Sequence, residues 1–243
     1  MKSKVRIFRI YPVAKGEETW GKNHAILLGE IEHPDLEVTQ VVSPDIEITS
    51  VTSNYDSDLV AAAHAKEAMR AEKEGYDAII VGCLLEPGIA ACKEAVSIPV
   101  VGDCGASLHL ASLLAPRFSF ILSGSQKGVG SRMIRDMVRH YGFEDHVASY
   151  RVVGYSTLQF SGDNIGNVVD AMLKEARSAI EQDGAEAIVG YGGPAVFSRL
   201  RAELPVPVVS PFQASILAAE MLARSNLSHS KFSYPIPDRL KNS

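Results

Sequence analysis

A thiol closes the apolar run Tyr76-Asp77-Ala78-Ile79-Ile80-Val81-Gly82-Cys83, and Leu84-Leu85-Glu86-Pro87-Gly88 follows it. The run reads as a buried strand, the next residues as an exposed turn and a helix start. Open α/β sheets place their reacting groups at such strand ends. Sulfur is polarisable, and a thiolate is well suited to removing a carbon-bound proton. The reference thiol pKa of about 8.5 falls beside amides or a helix N-terminus. A helix expected to begin near Pro87 offers that positive end. The other role open to Cys83 is that of a buried apolar filler, common for free cysteine.

A similar strand end recurs at Glu186-Ala187-Ile188-Val189-Gly190-Tyr191-Gly192-Gly193-Pro194, with a phenol in place of the thiol. The Tyr191 phenol, with a reference pKa of about 10, is a plausible proton donor to a carbanion and a poor base at neutral pH. Its alternative role is to close one side of a pocket. The backbone N–H groups of Cys83, Leu84 and Leu85, and those of Gly192 and Gly193, are suited to holding a carboxylate or a developing enolate. Of the other thiols, Cys104 follows a further apolar run and Cys92 lies within a helix, and both read as structural. The seven histidines do not cluster with each other or with cysteine, so no metal site is expected. The loop from Gly124 to Ser131 lacks the Gly-Lys-Ser/Thr ending of a phosphate loop and reads as a rim.

The elements that must carry these residues alternate between β-branched apolar runs and stretches of helical period, the pattern of βαβ units around parallel sheets. Strands are expected at Val5 to Ile10, Leu36 to Val42, Ala78 to Gly82, Pro99 to Gly102, Phe118 to Leu122, Ala148 to Val153, Ala187 to Gly190 and Val206 to Val209. Helices are expected at Glu17 to Ile31, Ser57 to Glu74, Pro87 to Val96, Ala106 to Leu114, Gly130 to Tyr141, Asn164 to Gln182, Ala195 to Glu203 and Gln213 to Ala223. The segment Glu74-Gly75-Tyr76-Asp77-Ala78-Ile79-Ile80 with Ile98-Pro99-Val100-Val101 is echoed by Asp183-Gly184-Ala185-Glu186-Ala187-Ile188-Val189 with Val206-Pro207-Val208-Val209. Sixteen positions separate Cys83 from Pro99, and sixteen separate Tyr191 from Pro207. The expected fold is therefore α/β: two similar doubly wound lobes with parallel sheets related by a pseudo-twofold, and an active-site cleft between them. The lobes are placed at 1–105 plus 210–243, with a C-terminal arm from Ser225, and at 106–209.

At 243 residues and 46% hydrophobic content, the chain has ample material for a core. A net charge of −5 without a basic run gives no footprint for nucleic acid or an anionic membrane. No apolar stretch approaches the roughly 20 residues of a membrane span, and the start shows no cleavage pattern, so a cytoplasmic protein is expected. Three cysteines do not make a disulfide framework in a chain of this size, and free thiols are expected.

Taken together, Gly82-Cys83 with Glu86-Pro87-Gly88, Pro99-Val100-Val101-Gly102, Ala115-Pro116-Arg117-Phe118-Ser119, His140-Tyr141-Gly142, the stretch Asp183 to Val189 and Tyr234-Pro235-Ile236-Pro237 resemble the aspartate/glutamate/hydantoin racemase superfamily. The nearest branches are the hydantoin racemases and their arylmalonate decarboxylase relatives. The resemblance implies two cysteines facing each other across the substrate carbon, working without cofactor or metal. Cys83 falls on the first position. The second is held by Tyr191, if the following glycine pair is matched, or by Gly192 on an ungapped count from the upstream strand; neither is cysteine. Ser123 matches a Ser/Thr that binds the substrate carboxylate in that family, and it can equally cap a turn. At the first strand end, Tyr11-Pro12-Val13-Ala14 stands where these racemases carry an Asn-Pro-Asn-Thr type sequence that holds substrate, which makes Tyr11 a candidate substrate contact.

The implied function is a cofactor-independent racemase acting at a carbon α to a carbonyl, on a small carboxylate or cyclic amide, in a homo-oligomer. The alternatives are a single-thiol decarboxylase or cis-trans isomerase, with Cys83 as nucleophile in the manner of the maleate isomerases it also resembles, and a non-catalytic small-ligand binder.

Overall fold

The computed structural model describes residues 3–124, 129–160 and 164–241. The loop read as a rim between Gly124 and Ser131 thus falls largely outside the described residues. In chain order the elements are β1 (Val5–Tyr11), α1 (Gly16–Gly29), β2 (Leu36–Val42), α2 (Asn54–Lys73), β3 (Ala78–Val81), α3 (Ile89–Ala95), β4 (Val100–Gly102), α4 (Asp103–Leu114), β5 (Phe118–Leu122), α5 (Val129–His140), β6 (Val147–Val152), α6 (Ile165–Asp183), β7 (Ala187–Val189), α7 (Pro194–Glu203), β8 (Val208–Val209) and α8 (Pro211–Arg224). Each element expected from the sequence is present, with ends that differ by a few residues. Two of those differences bear on the site. Helix α3 begins at Ile89 and not at Pro87, because Glu86 (φ 46°) and Gly88 (φ 74°) are left-handed and cannot lie in a right-handed helix. Helix α4 begins at Asp103 and not at Ala106, so β4 runs straight into it.

The strands form two four-stranded parallel sheets, ordered β2-β1-β3-β4 and β6-β5-β7-β8. The second order is the first repeated four strands later, so the echo in the sequence is a duplicated architecture. The equivalence extends to individual hydrogen bonds. Asp77 N–H donates to the Arg6 carbonyl at 2.8 Å and Glu186 N–H to the Arg117 carbonyl at 2.9 Å. Ile79 N–H donates to the Pro99 carbonyl, and Ile188 N–H to that of Pro207, both at 2.9 Å. Gly75 and Gly184, at matching places after α2 and α6, are both left-handed (φ 78° and 74°), the conformation that ends a helix and that glycine adopts without a Cβ clash.

The chain divides into two compact units, Met1–Glu18 with Ile31–Asp103 and Ser215–Ser243, and Thr19–Glu30 with Cys104–Ala214. This departs from the division at 105 and 210 read from the sequence chiefly in residues 19–30, most of α1, which join the second unit. The reason is local bonding. The Gln213 amide donates to the Leu27 carbonyl and to the Glu30 carboxylate, both at 2.9 Å, and Arg201 pairs with Glu30 at 2.8 Å. His24 stacks on Phe212 with ring centroids 4.2 Å apart. In the first unit Phe8, Ile10, Ile79, Val81 and Val100 bury one sheet face against α2 and α3. In the second, Ile121, Ile188, Val168, Met172 and Leu200 do the same with α6 and α7.

The residues after Ser225 run along α3 in the first unit. Ser228 Oγ donates to the Ser97 carbonyl at 2.6 Å, and Lys231 Nζ donates to the Lys93 and Glu94 carbonyls at 2.7 and 3.2 Å. The Lys93 and Glu94 carbonyls are acceptors in the last turn of α3, where a cation is favoured. Among the described residues, no helix is long and apolar enough to cross a membrane.

Candidate active site

In the first unit β1 and β3 are neighbours, so Tyr11 and the Gly82-Cys83-Leu84-Leu85 turn emerge at adjacent strand ends. Leu84 is buried, and Cys83 and Leu85 are half-buried. Three contacts clamp the turn. A Cβ on Gly88 would lie 2.7 Å from the Ala61 Cα, so α2 touches the backbone there. His64 of α2, fully buried, donates from Nδ1 to the Pro87 carbonyl at 2.7 Å. Glu86, also buried, lies over β4, where a Cβ on Gly102 would fall 2.1 Å from its carboxyl carbon. A left-handed glutamate costs about 1–2 kcal/mol relative to a right-handed one, and these contacts hold it there.

The three amides read as a possible oxyanion cradle fare differently. The Cys83 N–H is bound to the Val81 carbonyl at 3.0 Å, and the Leu85 N–H donates to Cys83 Sγ at 3.4 Å. Of the three, Leu84 N–H alone makes no hydrogen bond among the described residues.

The thiol itself corrects an expectation. Proximity to a helix start was expected to lower its pKa, yet burial pushes the Cys83 thiol up to about 12, against the Leu85 N–H, which lowers it; the Asp103 and Glu86 carboxylates raise it further. The seven-residue α3 begins six positions past the sulfur, and desolvation of the thiolate wins. Cys83 rests as a neutral thiol. Below it, Arg9 makes a buried two-pronged pair with Asp103, at 2.8 and 2.7 Å, and donates to Ser215 Oγ at 3.1 Å. Tyr11 is buried, with Gly16 close against its ring, and burial raises its phenol to about 12. Cys92 and Cys104 are fully buried.

In the second unit β5 and β7 are neighbours, which brings Ser123 and Tyr191-Gly192-Gly193 to adjacent ends. The turn after β5 is closed by backbone, Gly124 N–H donating to the Tyr155 carbonyl at 2.7 Å, and the half-buried Ser123 hydroxyl makes no hydrogen bond among the described residues. The Tyr191 ring is held edge-on by Trp20 at 5.7 Å and Phe160 at 5.4 Å, neither of which the sequence singled out. The Gly192 and Gly193 N–H groups make no hydrogen bond among the described residues, and Gly193 caps α7, whose first residue is Pro194. Gly192 must be glycine: φ is 141°, and a Cβ would lie 2.8 Å from Val196. The ladder bonds that equate Ile79 with Ile188 equate Cys83 with Gly192 and Gly82 with Tyr191.

Glu86, Arg9 and Asp103 are the site residues the sequence left unread. A charge at Arg9 inside an apolar strand was the available signal, since a buried arginine needs a carboxylate. Among the described residues, no three His, Cys, Asp or Glu side chains converge as metal ligands.

The Asp/Glu/Hydantoin racemase family model matches residues 24–189. A hydantoin racemase of Pseudomonas sp. (strain NS671) is 34% identical over 206 residues, covering 83% of this chain and 81% of that protein. An allantoin racemase from Klebsiella pneumoniae superposes with a TM-score of 0.85 at 25% identity, over 97% of this chain and 94% of that one. An arylmalonate decarboxylase shares the fold at a TM-score of 0.62 and 18% identity, over 90% of this chain and 92% of its own. This chain belongs to the Asp/Glu/hydantoin racemase family.

Proposed function

We propose that the protein is a racemase that moves a proton at the carbon α to the carbonyl of a neutral cyclic amide of the hydantoin type, without cofactor or metal, with Cys83 as its catalytic thiol. The observation that carries the proposal is the place of Cys83: a half-buried sulfur at the end of β3, in a turn clamped on both flanks, in a chain of the racemase family. The preference for a neutral cyclic amide rests on the likeness to hydantoin racemases. In one direction of the proposed reaction the Tyr191 phenolate, or hydroxide, takes the α-proton to give phenol or water and the planar enolate, and the Cys83 thiol delivers its proton to the enolate's other face and regains one from solvent. In the reverse direction the Cys83 thiolate, formed by loss of its proton to solvent, takes the α-proton and the phenol or water returns one, while the Leu84, Gly192 and Gly193 amides and Ser123 hold oxygen atoms of the substrate.

The test is a single-enantiomer 5-substituted hydantoin in deuterated water, followed by NMR for exchange and by chiral chromatography for inversion. Cys83→Ala is expected to lower both by at least about 10²-fold, the lower range for a positioned acid–base group, and Cys92→Ala to leave them unchanged. Equal losses in the two variants would refute the assignment. A second reading, a one-thiol reaction that only protonates an enolate, is favoured by Gly192 standing at the ladder equivalent of Cys83. It predicts exchange without inversion, and Tyr191→Phe then leaves turnover intact.

A further inference from the structure

We propose that Asn23 of α1 is a substrate-binding residue: its side-chain carboxamide pairs with the N–H and carbonyl on one edge of the cyclic amide and so selects for a ring. The inference deepens the reading of the protein as a racemase of hydantoin-type substrates and rests on it.

Three observations meet at this residue, all within the second unit. The first is the reason for glycine at position 193. Its backbone, at φ −94° and ψ −172°, is extended and open to any residue, so conformation does not call for glycine there. Contact does: a Cβ on Gly193 would fall 2.8 Å from both Cγ and Nδ2 of Asn23. The glycine leaves room for a carboxamide against the end of β7. Second, the half-buried Asn23 side chain makes no hydrogen bond among the described residues. The backbone it touches carries the Gly192 and Gly193 N–H groups, which make none either. Third, α1 is anchored there by other residues. Three positions before Asn23, Trp20 meets the Tyr191 ring edge-on at 5.7 Å, and the next residue, His24, stacks on Phe212 at 4.2 Å. The Leu27 carbonyl accepts from the Gln213 amide at 2.9 Å. The carboxamide is therefore not what ties the helix down.

The chemistry of the group identifies what it would hold. The two glycine amides can only donate, which suits the oxygen that gains charge in the enolate. A hydantoin ring also carries an imide N–H between its two carbonyls, and a desolvated N–H without an acceptor is costly. A carboxamide presents one acceptor and one donor side by side. Oδ1 accepts from the imide N–H while Nδ2 donates to the ring carbonyl remote from the α-carbon. An open-chain amide is trans, with its N–H and carbonyl on opposite sides, and cannot make both bonds. A five-membered ring holds them on one side.

The experiment compares a 5-substituted hydantoin with its N3-methyl derivative, which lacks the imide proton, on full-length protein by racemisation and by calorimetric titration. The parent is expected to favour the unmethylated ring about tenfold in kcat/KM and in affinity, as suits one or two half-buried hydrogen bonds. Asn23→Leu fills the same space without polar atoms; it is expected to lose about tenfold on the hydantoin and to treat the two rings alike. A methyl group that merely collided with residue 23 would still be rejected by leucine. Asn23→Ala is expected to behave as Asn23→Leu does, and serves if the leucine variant does not fold. Retained discrimination, or no loss on the hydantoin, in a folded variant overturns the proposal. A parent that inverts the hydantoin without discriminating overturns the Asn23 contact alone. Binding without inversion sinks the racemase reading and leaves the titration to decide the contact; a parent that neither binds nor inverts the hydantoin sinks both.

Discussion

The protonation of Cys83 separates two accounts of this site by orders of magnitude. A solvent-exposed thiol with pKa near 8.5 is about one-quarter thiolate at pH 8. A thiol at about 12 is only about 10⁻⁴ thiolate at that pH, a deficit of roughly 10³. The deficit is partly offset, because thiolate nucleophilicity rises with basicity with a Brønsted slope of about 0.4–0.5, or roughly 30-fold over this interval. The parent protein should therefore react with a methanethiosulfonate about 10² times more slowly than a model peptide thiol at pH 8, before any steric hindrance. Its rate should climb tenfold per pH unit with no plateau below pH 10. Cys92 and Cys104 are fully buried and should stay unmodified in the native protein. A plateau below pH 9, or a pH 8 rate within about threefold of the peptide, would mean that amides and the α3 terminus prevail over desolvation, and the argument from burial would fail.

Gly192→Ala is expected to lower the urea midpoint by an amount corresponding to about 1–3 kcal/mol, because its Cβ would meet Val196 in the core; an unchanged midpoint would refute the close packing. Stability should decline as pH rises from about 9 toward about 12, since Cys92 and Tyr11 keep, up to about 12, protons that the unfolded chain loses near its ordinary pKa values of 9.0 and 10.0. Cys92→Ala should flatten that limb, and a limb of unchanged slope would refute it. Apolar side chains left exposed on α8 and the arm, Leu217, Met221, Leu227 and Phe232, accord with a symmetric homo-oligomer; sedimentation of a stable monomer at micromolar concentration would refute that.

The fold was largely legible because its signals are local. Runs such as Ala78-Ile79-Ile80-Val81 lie buried on both faces of a parallel sheet and read as continuous apolar strands. The repeat of Gly75 and Gly184 marks two helix ends by a conformational need that sequence displays directly. The position of Cys83 was legible for the same reason. Its chemistry was not, because the thiol pKa depends on how much protein surrounds the sulfur and on Asp103, 20 positions away. Arg9 and Asp103 are 94 positions apart, and no periodicity joins them. That residues 19–30 go with the second unit was not legible either: α1 looks like an ordinary crossover helix, and Gln213 and Arg201 decide where its end is tied.

The two strand ends show how one architecture, used twice, comes to hold different chemistry. Each follows the same ladder as far as Ile79 and Ile188, and they part within four residues. After β3 the chain turns through a left-handed glutamate into a short helix, leaving one amide that makes no hydrogen bond among the described residues and one thiol whose charge is disfavoured. After β7 it passes through Gly192 and Gly193 into a ten-residue helix with proline at its first position, leaving two such amides and no reacting atom at the ladder equivalent of the sulfur. An end that resists negative charge suits proton donation, and an end rich in free N–H groups suits holding the oxygen on which negative charge develops. Replacing Gly192 by cysteine is expected to disrupt its own turn, because φ of 141° and the approach of Val196 leave no room for a side chain. The residue next to it in the chain that carries an exchangeable proton is Tyr191, packed edge-on between Trp20 and Phe160. The separation of exchange from inversion in deuterated water is therefore the measurement on which the racemase and one-thiol readings diverge.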